Sequence, residues 1–191
     1  MQLIIEFNMP LYCNTKMAKK KTSTITFRID EENDNKLRQI AEDKKISLNT
    51  LANQIFGNYV QLERYMEKFG VLMMSQNAFL SILNMLDEKQ IIKFASDVGS
   101  KEPKEFILFK WKDINSDSVA DFITLYFEHC GYGSCDLERT DNEIGISIHH
   151  KLGKNGTLFL KTFLESLIQS SLDQSCKTTI AENSVTIQFS K

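Results

Sequence analysis

Residues Thr22 to Asp30 read TSTITFRID, an alternating run with Ile25, Phe27 and Ile29 on one face and Thr24, Thr26 and Arg28 on the other. The apolar face requires a core, whereas the opposite face offers hydroxyls and a guanidinium with hardly any apolar bulk. A lone strand is unstable in water, and the residues that follow have helical periodicity rather than a second strand. The simplest partner is therefore the same strand of a second copy. Such a pair is a two-stranded antiparallel ribbon, of a width that the major groove of DNA admits.

The flanking sequence reads as two helices. Asp30 is placed as an N-cap, with Glu31 and Glu32 in the positive first turn. Leu37, Ile40 and Ala41 form an i, i+3, i+4 stripe, with Lys36, Arg38 and Glu42 toward solvent. The helix is expected to stop near Lys44 and Lys45. Ser47 then caps a second helix with the stripe Leu48, Leu51, Ala52, Ile55, Phe56, Tyr59 and Leu62. That stripe is too wide for one partner helix and suits an intertwined dimer.

Strand, helix, short turn ending in a capping serine, and second helix resemble the ribbon-helix-helix family of DNA-binding proteins, of the Arc and MetJ type. The resemblance covers Thr22 to Met66 and rests on three signals in register: the alternation of TSTITFRID, Asp30, and KKISLNTLA at the second helix start. It implies that Thr24, Thr26 and Arg28 read base edges, Arg28 bidentately on guanine O6 and N7. It also implies that Ser47, Leu48 and Asn49 present backbone N–H groups to a phosphate. Lys19, Lys20, Lys21, Lys44 and Lys45 would add sequence-independent affinity that falls with salt. The implied dimer core is Ile25, Phe27, Ile29, Leu37, Ile40, Leu51 and Ile55.

Composition sets limits on this reading. The 191 residues are 42% hydrophobic and 25% charged with a net charge of -2, so the molecule as a whole is not a basic nucleic-acid binder. The charge is uneven, however. Lys16, Lys19, Lys20 and Lys21 precede the strand, while Asp and Glu outnumber Lys and Arg after Gly70. A local basic arm matters more than the total, because screening confines its reach to roughly 10 Å. Cys13, Cys130, Cys135 and Cys176 are scattered, as in a reduced cytoplasmic protein. No run approaches the roughly 20 apolar residues of a membrane helix, so no membrane association is expected. Met17 opens MAKKKTSTITF, a natural-looking start for such a domain, and residues 1–16 are expected to be a disordered extension.

The organisation expected is a ribbon-helix-helix domain over 17–69, a helical connector over 70–104, and a sensor or assembly domain over 105–191. Ser75 caps a helix reaching Leu86, and Asp87 with Gln90 opens another reaching Val98. Gly99-Ser100 and Pro103 then read as breakers, and Phe106 to Trp111 as an apolar strand. Residues 117–130 predict an amphipathic helix. Cys135 to His149 predicts a hairpin turning at Asp141-Asn142, Thr157 to Leu172 a helix, and Thr178 to Ser190 a hairpin turning at Glu182-Asn183. The class is α+β, an antiparallel sheet with helices on one face following the N-terminal domain.

This half has no catalytic motif, and no cofactor is expected. LGKNG at Leu152 to Gly156 lacks the GKS/T ending of a phosphate loop and reads as a strand-to-helix turn. His129, Cys130, Cys135, His149 and His150 are the only soft-ligand cluster. They would converge on zinc only if the helix end adjoined the first hairpin, and adjacent strand residues such as His149 and His150 face opposite ways. Packing of the cysteines is the simpler account.

The function expected is that of a sequence-specific transcription regulator and not an enzyme. It would bind double-stranded DNA as a homodimer or a tetramer, with an unidentified small-molecule effector as a further partner. The alternatives are an antitoxin-like protein-interaction module and a metal sensor built on the His/Cys residues. Regular apolar periodicity beyond residue 105 argues against a flexible antitoxin tail.

Overall fold

The computed structural model describes residues 22–191. The expectations for residues 1–16 and for Lys19, Lys20 and Lys21 lie outside the described residues. The chain divides into two compact units, meeting between Arg64 and Tyr65.

In the first unit, α1 spans Glu31–Asp43 and α2 spans Leu48–Asn58, continued by a π-helical turn at Tyr59–Glu63. Asp30 occupies the N-cap position of α1, although its side chain makes no capping hydrogen bond. The turn between the helices is closed by the backbone: Ile46 N–H donates to the Ala41 carbonyl and Lys45 N–H to the Glu42 carbonyl. This is a Schellman closure, with Lys45 left-handed at φ 54° where glycine is usual. Ser47 then caps α2 by accepting from Thr50 N–H at 3.0 Å. Thr22 to Asp30, expected as a strand, has no ladder among the described residues. A strand needs a neighbour to donate to, and none is offered by the described residues of one copy.

The second unit begins in α3 (Arg64–Phe69) and continues through α4 (Gln76–Met85), α5 (Glu88–Trp111), α6 (Ser116–His129), β1 (Gly133–Arg139), β2 (Glu143–His150), α7 (Gly153–Leu172), β3 (Lys177–Ala181) and β4 (Ser184–Ser190). Three helix starts are fixed by their own side chains. Ser75 accepts from Ala78 N–H, Asp87 with Gln90 makes a full capping box, and Asn115 with Ser118 makes another.

α5 overturns two expectations. It runs through Gly99, Ser100 and Pro103, and Phe106 to Trp111 is its last part rather than a strand. Ile91, Ala95, Gly99, Pro103 and Ile107 recur every four residues and are all buried, so the two supposed breakers belong to the packing face. Gly99 has a steric reason to be there. A Cβ at that position would stand 2.4 Å from the Phe163 carbonyl oxygen of α7. Burial against α7 offsets the roughly 3 kcal/mol that a proline costs inside a helix.

The four strands form one antiparallel sheet in the order β1-β2-β4-β3. In the β2–β4 register, Ile144 faces Phe189, Ile146 faces Ile187 and Ile148 faces Val185. All six side chains are buried. α6 and α7 pack on this face, as the two-residue period required. Phe159, Leu160, Phe163, Leu164, Leu167 and Ile168 supply the α7 side of the core. The sheet and the helices on one face agree with the α+β expectation for this half.

Candidate nucleic-acid interface

Unit 1 carries the residues proposed to read DNA, and it leaves them open. Thr24, Thr26 and Arg28 are all exposed. So is the apolar side of the same segment: Ile25 is 68% exposed, Phe27 59% and Ile29 50%. Both faces of a nine-residue run are therefore uncovered in a single copy. Ile40, Ile55, Phe56, Tyr59 and Val60 are exposed as well. The Phe27 and Phe56 rings stand 5.2 Å apart, which ties the segment to the apolar side of α2. Of the expected dimer core, only Leu51 is buried within the chain, and Leu37 is half-buried.

Val60, likewise exposed, lies off the stripe read from the sequence, whereas Leu62 on that stripe is buried within the π-helical turn.

The residues implied as phosphate contacts gather around the start of α2. Lys44, Lys45 and Asn49 are exposed, Leu48 is half-buried, and Ser47 spends its hydroxyl on the Thr50 N–H and the Thr50 hydroxyl. The N–H groups of the first helical turn have no intrahelical acceptor, as in any helix. Lys45 and Lys44 precede the capping Ser47 by two and three residues, so positive charge and the free N–H groups of the helix start adjoin in sequence.

The His/Cys cluster of the second unit is dispersed by its packing. Among the described residues, no group of three or more His, Cys, Asp and Glu side chains is placed to hold a metal ion. His129 Nδ1 lies 2.9 Å from the Leu125 carbonyl of its own helix. Burial pushes the Cys130 thiol up to about 11 and the Cys135 thiol up to about 12, the latter despite a hydrogen bond with Thr124. Both thiols are thus protonated at neutral pH, whereas nucleophilic attack needs the thiolate. His149 is exposed beside Asp136, with Nε2 3.4 Å from Oδ2. His150, on the opposite face of β2, is buried, and both its ring nitrogens are engaged by protein groups.

No helix among the described residues is long and apolar enough to cross a membrane. Compared with known proteins, the chain matches no family model and no curated protein.

Proposed function

We propose that the chain is a sequence-specific DNA-binding transcription regulator that works as a homodimer. Residues Thr24 to Ile29 of two copies would pair antiparallel. Ile25, Phe27 and Ile29 would then enter the shared core while Thr24, Thr26 and Arg28 face the major groove. One observation carries this reading: a single copy leaves Ile25, Phe27 and Ile29 uncovered on the same short segment whose alternate residues are polar and accessible. Contiguous exposed apolar surface of this kind marks an interaction site. A second copy covers it and at the same time supplies the ladder partner that the segment lacks. Lys44, Lys45 and the start of α2 would hold the phosphate backbone and so fix the register. The second unit, with its own sheet and core, would act as a regulatory or assembly module by setting the spacing of two such heads, which must match the helical repeat of DNA.

The test is selection of bound DNA from a random pool, run with the full chain and with Arg28→Ala. The wild type should enrich one short sequence. Arg28→Ala should lose about 1–3 kcal/mol of discrimination at one base pair while keeping its oligomeric state. Enrichment of the same sequence to the same degree by Arg28→Ala would remove the reading strand from the account.

A further inference from the structure

His150 is the last residue of β2, and only 5% of its surface is exposed. Its Nδ1 accepts a hydrogen bond from the Leu152 N–H at 3.2 Å, so that nitrogen carries no proton. Its Nε2 lies 3.3 Å from the Thr157 hydroxyl. Thr157 Oγ1 has one proton and two carbonyl acceptors in reach, Glu182 at 2.8 Å and Gly153 at 3.0 Å. With that proton given to a carbonyl, the hydroxyl oxygen accepts from Nε2–H. The ring is therefore held as the neutral tautomer protonated on Nε2.

These bonds join three places distant in sequence: the end of β2, the first turn of α7, and the turn between β3 and β4. The His150 backbone N–H reaches the same turn, donating to the Asn183 carbonyl at 2.9 Å. The N-cap of α7, Leu152, has no capping side chain of its own, and this ring accepts its backbone N–H.

We propose that His150 is a proton-operated latch, fastening the end of β2 to the start of α7 when neutral and releasing it when protonated. A second proton would go on Nδ1 and point N–H at N–H, replacing an attraction with a repulsion inside a buried site. Among the described residues, burial and His149 are what act on the ring, and both disfavour the second proton. From β2 itself comes His149, whose charge disfavours a second cation, and whose own ring is turned to Asp136. From the α7 start come Lys151, exposed, and Lys154, which pairs with Glu88 at 3.3 Å. From the hairpin turn comes Glu182, which gives its carbonyl and keeps an exposed side chain. Burial first, and His149 second, hold the folded imidazole below its ordinary value. The sign follows. The unfolded chain takes the proton first as pH falls below about 6.5, so the stability of the latched form is lost on the acid side and complete above it.

The experiment is NMR of the full-length protein between pH 7.5 and 4.5, following the His150 ring signals and hydrogen exchange of the Leu152 amide. The ring should stay neutral below its ordinary range. Its protonation should coincide with at least about a tenfold loss of Leu152 amide protection, corrected for intrinsic exchange. His150→Gln, which keeps an acceptor and a donor but cannot titrate, should hold that protection across the range. His149→Gln should leave the loss in place. An ordinary His150 titration, or Leu152 protection unchanged while the ring protonates, would overturn the latch. Both outcomes are read on the wild-type protein, so they do not depend on the variants folding.

Discussion

Gly99 is where one atom decides how closely two helices approach. Its missing side chain admits the Phe163 carbonyl oxygen, and a methyl group there would have to push α5 from α7. Gly99→Ala should cost about 1–3 kcal/mol, read as a lower denaturant midpoint at unchanged slope. Gly145 provides the contrast, since a Cβ there would meet its neighbours at 3.9 and 4.0 Å, an ordinary contact. Gly145→Ala should be neutral or slightly stabilising. Equal losses at the two positions would show that crowding is not what Gly99 relieves. Lys45, Lys112 and Asp173 are residues of another kind, holding left-handed φ values of 54°, 63° and 52° just past helix ends. Each tolerates a conformation that glycine adopts freely, because the closing backbone bonds of the helix end are worth keeping.

At the scale of the element, local chemistry wrote most of the structure. The starts of α2, α4 and α5 are set by Ser47, Ser75 and Asp87, and each cap depends on residues at most three apart. The two hairpins followed from strict alternation around short turns. Ser47→Ala should accordingly remove the bond to Thr50 N–H and lower the stability of the first unit by about 0.5–2 kcal/mol. Thermal unfolding followed by far-ultraviolet circular dichroism checks this, and an unchanged profile would show that the cap contributes nothing. α5 was illegible for the opposite reason. Glycine and proline break helices through local propensity, and in α5 tertiary burial against α7 overrides it. The four-residue repeat Ile91, Ala95, Gly99, Pro103, Ile107 carried the information, although Gly and Pro are seldom counted as members of an apolar stripe. The π turn after Asn58 left no such trace in the sequence. At the candidate interface, the alternation of Thr24 to Ile29 was legible in composition. A single copy shows no ladder for it among the described residues, so its expected pairing with a second copy rests on the sequence alone.

Both units leave large apolar side chains exposed among the described residues, and they differ in how much core lies beneath them. In the second unit the isoleucines of β2 and the aromatic residues of α7 are sealed. In the first, Ala41, Leu51 and Leu62 are buried while Phe27, Ile55 and Phe56 face water. Fully burying a large apolar side chain is worth about 1.5–3 kcal/mol, so covering the half-exposed Phe27 and Phe56, whose rings are in contact, would favour association. A second copy is proposed to cover these side chains through residues 24–29. Sedimentation equilibrium of the full-length wild type and of Phe27→Asp tests it most directly, with circular dichroism confirming that the variant keeps its helices. The account predicts twice the chain mass for the wild type and a single chain mass for Phe27→Asp, whose carboxylate would enter the shared core unpaired. A wild type that sediments as one chain, or a dimer that Phe27→Asp leaves intact, contradicts it.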